Sequence, residues 1–222
     1  MIKKALILFV LMLPLQVLAQ TQLAIPLASQ GQWQLLEYRG IAANQVTFTD
    51  NGMTITVNNS ASPLIYPLAP DYFSSLHYTM QINGKLNLKP DLQGSTNNDD
   101  FLLRIGVVYE GNKTLNFIER KLAAGWIKTL FKLAPKGTGV DKIEFFNIYS
   151  DPHLANQTRV HPLSEYMQEH FLLAEVSNGH YQGQIELNTE KRVLGIWLSA
   201  DGDDTESGFE VVVTELELSG GN

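Results

Sequence analysis

Apolar and polar residues alternate with a period of two along most of this chain, and that pattern commits it to strands. Val46-Thr-Phe-Thr49 and Met53-Thr-Ile-Thr-Val57 alternate on either side of Asp50-Asn-Gly52, which signals a hairpin. Leu76, Tyr78, Met80 and Ile82 share one face of the next segment, and Asn83-Gly84 marks a turn after it. From Phe101 to Tyr109 the apolar positions are Phe101, Leu103, Ile105, Val107 and Tyr109, with Arg104 on the other side. Ile143 to Tyr149, Phe171 to Val176, Tyr181 to Leu187, Val193 to Leu198 and Phe209 to Leu218 read as further strands. Roughly ten short strands at this spacing predict an all-β fold, a jelly-roll-like two-sheet β-sandwich of the galactose-binding-like kind. No repeat of fixed period interrupts the pattern.

One segment departs from it. Between Asn116 and Leu133 the apolar residues Ile118, Leu122, Trp126, Leu130 and Leu133 fall at steps of three and four, which is a helix face. Asn116 with Glu119 three places on resembles a capping box, and Pro135 with Gly137 stops the helix. The polar side carries Arg120, Lys121, Lys128 and Lys132. From Lys113 to Lys136 there are six basic residues and one acidic, in a chain whose formal charge is -7. A basic amphipathic helix of this kind either meets an anionic membrane surface or an acidic partner, or lays its apolar face on the sandwich with its lysines in water.

The N-terminus carries an address. Lys3 and Lys4 precede an apolar run from Ala5 to Leu15, and Val17-Leu18-Ala19 supplies the small residues of a cleavage site. That is the grammar of a secretory signal peptide at 1–19, leaving 20–222 as a single sandwich domain, periplasmic or secreted. The apolar run is too short for a bilayer, which takes about 20 apolar residues, and no later segment approaches that length, so no transmembrane segment is expected. The chain has no cysteine, which excludes a disulfide framework, a thiolate metal site and a cysteine nucleophile. Its acidity argues against nucleic acid, because phosphate binding wants a basic face.

Candidate chemistry is confined to two acidic clusters. Asn97-Asn98-Asp99-Asp100 precedes the strand that carries Arg104. In a strand Asp100, Leu102 and Arg104 share a face, so Asp100 and Arg104 are expected to be partly buried neighbours, and Asp99, Asp100 and Arg104 form either a structural ion pair or a polar clamp for a ligand. Asp201-Gly-Asp203-Asp204-Thr205-Glu206 is the second cluster, a turn whose Asp201, Asp203 and Asp204 are hard oxygen ligands of the kind calcium prefers. It lacks the ligand order of an EF-hand, and acidic turns also arise simply because Asp and Gly suit turn geometry. The five histidines show no metal-protease spacing, and no nucleophile elbow or glycine-rich phosphate loop occurs, so neither a nucleotide nor another organic cofactor is expected. Asp151 to Tyr166 is a long irregular stretch holding two histidines, Arg159 and Tyr166, and such loops are either functional or mobile.

Taken in order, Ala61-Ser62-Pro63-Leu64, Leu76-His77-Tyr78, Asp99-Asp100-Phe101-Leu102-Leu103-Arg104, Ile148-Tyr149-Ser150 and Gly195 through Thr205 form a series. That series resembles the uncharacterised exported bacterial family called domain of unknown function 3047, over most of the chain after residue 19. Departures are visible: His77-Tyr78 stands where that family usually has tryptophan, Asp204 replaces an asparagine, and a tryptophan expected after Tyr149 is absent. The resemblance implies a jelly-roll sandwich like those of carbohydrate-binding modules, and no activity comes with it. The resulting expectation is an exported protein that binds a carbohydrate or cell-envelope ligand through Asp99, Asp100 and Arg104, with calcium as the candidate ion. The alternatives are a carboxylate-dependent glycan hydrolase or lyase, and an interaction protein that works through the basic helix.

Overall fold

The computed structural model describes residues 22–220 except Leu163 and Ser177, so the expected signal peptide lies outside the described residues. Among the described residues, thirteen strands form two sheets. They are β1 (Gln22–Ala24), β2 (Gln34–Leu35), β3 (Gln45–Thr49), β4 (Gly52–Asn58), β5 (Ala61–Asp71), β6 (Ser75–Gly84) and β7 (Arg104–Gly111), then β8 (Gly139–Tyr149), β9 (Thr158–Val160), β10 (Met167–Ala174), β11 (His180–Glu186), β12 (Val193–Asp201) and β13 (Gly208–Ser219). The six-stranded sheet runs β11-β6-β13-β4-β3, with β1 also on β13. The seven-stranded sheet runs β2-β5-β12-β7-β8-β10-β9. Along the chain β4, β5, β6 and β7 alternate between the sheets, and so do β11, β12 and β13, which makes a two-sheet sandwich of the predicted jelly-roll-like kind. Among the described residues, no helix is long and apolar enough to cross a membrane.

The alternation explains the main core. Leu76, Tyr78, Met80 and Ile82 of β6 are all buried against Ile105, Val107 and Tyr109 of β7 and their neighbours. The hairpin at Asp50–Gly52 joins β3 to β4 as expected, with Thr49 paired to Gly52. One feature escapes local patterns: β10 lies parallel to β8, while the other pairings are antiparallel. Parallel neighbours need a long connection, and the irregular stretch after Tyr149 supplies it.

Two expectations are corrected in detail. The strand expected from Phe101 begins only at Arg104, and Asp100, Phe101, Leu102 and Leu103 before it are all buried. The helical insertion is present but broken into α1 (Phe117–Leu122) and α2 (Gly125–Lys132), separated by extended backbone at Ala123 and Ala124. The Asn116–Glu119 capping box forms as predicted, with the Glu119 N–H donating to Asn116 Oδ1 at 2.9 Å and the Asn116 N–H to Glu119 Oε2 at 2.8 Å. Of the expected apolar face, Trp126, Leu130 and Leu133 pack on the sandwich, whereas Ile118 and Leu122 stay exposed.

That packing divides the outer face of the seven-stranded sheet. With Ile105, Val107 and Tyr109 turned into the main core, β7 presents Arg104, Gly106 and Val108 outward. One part of this outer face is apolar, where Val108, Ile143, Phe145 and Trp197 meet Leu130 and Trp126 of α2. Trp197 stands edge-on to Trp126 at 5.8 Å and to Phe145 at 6.0 Å between ring centroids. Gly106 makes this possible, since a Cβ there would lie 2.7 Å from the Phe145 ring and 2.9 Å from Trp197 Cβ. The part beyond Phe145 and Trp197 is polar, and the candidate site is built there.

Candidate functional site

Strand register lays down a polar row. Ser199 of β12 pairs with Arg104 of β7, and Arg104 pairs with Asn147 of β8. Asn147 Nδ2 donates to Glu169 Oε1 of β10 at 2.7 Å, which extends the row across a fourth strand. All four residues are buried, and Glu169 is completely so. A buried carboxylate needs partners. Arg159 Nε donates to Glu169 Oε2 at 2.7 Å, and Arg104 Nε stands 3.5 Å from Oε1.

Asp99 is the hub above this row. Its backbone carbonyl accepts from Arg104 Nη2 at 2.7 Å, and its carboxylate accepts from Arg159 Nη2 at 2.8 Å. His161 Nε2 lies 3.1 Å from the second carboxylate oxygen. Burial alone would raise the Asp99 carboxyl, but the His161 hydrogen bond and the charges of Arg104 and Arg159 together hold it below its ordinary value. The third partner of Arg104 is Asp201, joined through Nη1. Both guanidinium groups also lie over aromatic rings, Arg104 at 4.4 Å from the Phe101 centroid and Arg159 at 5.4 Å from that of Phe171.

Asp100 does not pair with Arg104, which corrects the sequence expectation. Both residues are buried as expected, but with the strand starting later Asp100 turns toward the loop after β12. There its carboxylate accepts from the Thr205 N–H at 2.7 Å, from Thr205 Oγ1 at 2.6 Å and from the Asp204 N–H at 3.3 Å. Burial pushes its carboxyl up and outweighs those hydrogen bonds. The same loop returns the favour to Asp99, whose N–H donates to Asp204 Oδ2 at 3.1 Å. The two acidic clusters are thus one interlocked structure.

The three aspartates of the second cluster therefore have different tasks. Asp201 faces Arg104, Asp204 caps the Asp99 N–H, and Asp203 borders the cleft. Burial and the Asp100 charge push the Asp203 carboxyl up. Among the described residues, no group of three or more His, Asp or Glu side chains is arranged to hold a metal ion. Arg104 lies among the carboxylates of Asp99, Glu169 and Asp201, and Arg159 between those of Asp99 and Glu169.

These side chains line an open cleft of about 450 Å³. Its floor is Arg104, Ser199, Asp201 and Phe145, and its rims are Gly94 to Asn97, His161, Pro162, Ser164, Asp203 and Asp204. Tyr38 and Trp126 are half-buried at its sides. Burial pushes the Tyr38 hydroxyl up to about 12, with Arg104 opposing and Asp203 adding to the shift, so it is a neutral donor at any ordinary pH. Five aspartates line the cleft against Arg104 and His161, so its surface is acidic on balance. Gly94 has φ +86°, and a Cβ there would come within 2.9 Å of Arg159 Nη1, which donates to the Gly94 carbonyl at 2.6 Å.

Sequence reasoning identified Asp99, Asp100, Arg104, Asp201, Asp203 and Asp204, and all six reach this cleft. It did not identify Glu169, Arg159, His161, Tyr38 or Trp126 as site residues. Arg159 and His161 sat in the stretch singled out for irregularity, and its role in the site is to deliver Arg159 from β9, and His161 from just after it, against Asp99. Nothing local distinguishes Tyr38 or Glu169. Gln93, also buried, joins the two loops: it donates to the Asp100 carbonyl at 2.8 Å and accepts from the N–H groups of Ser150 and Asp151 at 2.9 and 3.0 Å.

No protein-family model matches the chain, and no curated protein sequence matches it. Solved structures do resemble it. A family 11 carbohydrate-binding module from Clostridium thermocellum, in complex with a β-1,3-1,4-mixed-linked tetrasaccharide, aligns at a TM-score of 0.43 with 10% identity, over 90% of this chain and 96% of that one. A family 29 carbohydrate-binding module from Piromyces equi aligns at 0.38 with 10% identity, over 92% and 93%. A xylan-binding module of family 15 aligns at 0.38 with 9% identity, over 91% and 97%. At such values the chemistry of the cleft has to be read from its own side chains.

Proposed function

We propose that the cleft binds a carbohydrate, and that the protein acts by binding. The observation that carries this is the union, in one open cleft, of aromatic side chains with polar groups that the protein has already paired. Tyr38 and Trp126 offer faces for the C–H side of a sugar ring, while Asp203, Asp204, Ser95 and Asn97 offer hydrogen-bonding groups for hydroxyls. Arg104 and Asp99 hold each other through charge, so the ligand need bring none. The acidic balance favours neutral or amino sugars and disfavours uronates.

Calorimetric titration tests this with mixed-linked β-glucan oligosaccharides, xylo-oligosaccharides, chitosan oligomers and polygalacturonate. A neutral or amino glycan should bind, with Trp126→Ala weakening it at least tenfold, and polygalacturonate should not. If all the neutral and amino glycans fail, or if polygalacturonate binds best, the proposal is wrong.

A second reading, glycan cleavage, is favoured by one observation. Asp203 is pushed toward holding a proton while Asp99, in the same cleft, is held ionised, and such divergence is how acid and base roles are divided. Release of reducing ends from a bound glycan, abolished in Asp203→Asn with binding retained, would replace binding by catalysis.

A further inference from the structure

The helical insertion carries a feature that the cleft does not use. None of the six residues of α1 is buried, and three of them are large and apolar: Phe117 is 83% exposed, Ile118 67% and Leu122 79%. A six-residue helix has little stability of its own, and its capping box holds it without core contacts. α2 is anchored instead, through Leu130 and Trp126 on the outer face of the sheet. The insertion therefore holds an apolar cluster out from the sandwich, in water.

Beside that cluster lies a second cleft, of about 390 Å³, lined by Arg120, Lys128, Lys132 and Lys136, with no carboxylate among the described lining residues. Neither these four nor Lys121 takes part in an ion pair among the described residues. The single acidic residue of the insertion, Glu119, is engaged by the Asn116 N–H. This concentration of unpaired cations sits in a chain that is otherwise strongly acidic.

We propose that the insertion is a docking element for an anionic lipid bilayer, with Phe117, Ile118 and Leu122 entering the headgroup boundary and the basic cleft receiving lipid phosphates. Charge complementarity selects an anionic occupant. The apolar cluster selects a surface with hydrocarbon beneath it, since a soluble anion leaves Phe117, Ile118 and Leu122 in water. An anionic bilayer offers both.

Vesicle flotation of the chain from residue 20 tests this, with phosphatidylglycerol-containing vesicles against pure phosphatidylcholine. The protein should float with the anionic vesicles alone, and salt should release it. Phe117→Ser/Ile118→Ser/Leu122→Ser should abolish flotation without lowering the melting temperature, because those side chains touch no core. Lys128→Gln/Lys132→Gln should weaken partitioning about fivefold per charge removed. Three results would overturn the proposal. One is flotation with neither vesicle. Another is flotation that the triple variant retains in full and inorganic phosphate competes away, which would make the cleft a soluble-anion site. The third is a dimer in light scattering that the triple variant dissolves, which would make the patch a self-association surface.

Discussion

Replacing Arg104 by Met removes the guanidinium while keeping a side chain of similar reach, so the perturbation is mainly electrostatic. Its three carboxylate partners are not affected equally. Glu169 keeps Arg159 and Asn147, each at 2.7 Å, and Asp99 keeps Arg159 at 2.8 Å and His161 at 3.1 Å. Asp201 has Arg104 as its ion-pair partner and is 5% exposed, so it becomes the uncompensated buried charge. Breaking a buried pair on one side costs about 3–5 kcal/mol. At roughly 2–4 °C per kcal/mol for a chain of this size, the melting temperature should fall by about 6–20 °C. Asp201→Asn alone should cost less, about 1–3 kcal/mol, because Arg104 retains Asp99 and Glu169. The double variant should fall short of the sum by about 0.5–3 kcal/mol. Urea unfolding of the four proteins measures this directly. Asp100→Asn serves as the comparison, since its carboxylate is held by Thr205 and Asp204 rather than by Arg104. If Arg104 couples to Asp100 and not to Asp201, the arrangement of the site described above is refuted.

Asp99, with its folded-state carboxyl below the ordinary value, contributes stability that is present above the unfolded value near pH 3.9 and lost as pH falls through the lower folded one. Asp100 and Asp203 are raised, so they have the opposite sign: each disfavours the fold when ionised, and that cost is relieved as pH falls toward about 4. Melting temperature measured from pH 7 downward should therefore rise before it drops below about pH 4, and Asp203→Asn should shrink the rise; an unchanged profile in that variant would count against the assignment. Because Arg104 already neutralises Asp201 and Asp204 is engaged by the Asp99 N–H, melting curves in calcium and in a chelator should coincide. A calcium-dependent increase that Asp203→Asn abolishes would restore a cation to the loop.

Much of this architecture is legible residue by residue. The period-two runs place Leu76, Tyr78, Met80 and Ile82 on one buried face because strand geometry turns alternate side chains the same way. The capping box at Asn116 and Glu119 forms because both partners lie within one turn, so no distant contact can overrule it. The gathering of aspartates at 99–100 and 201–204 follows from composition alone. What each of those aspartates holds does not. Asp100 and Arg104 are four positions apart, yet their partners come from 105 and 97 residues further along the chain, at Thr205 and Asp201. The run Asp100 to Leu103 precedes the strand, and Asp100 is held away from Arg104 by Thr205 and Asp204 of a distant loop, a choice made by tertiary contacts and not by the local pattern. Likewise, β10 lies parallel to β8, so Glu169 arrives beneath Arg104, and β9 with the residue after it then carries Arg159 and His161 to Asp99. Periodicity and capping are properties of neighbours in sequence, while ion pairs and clefts belong to neighbours in space, and only strand order and register decide who those are.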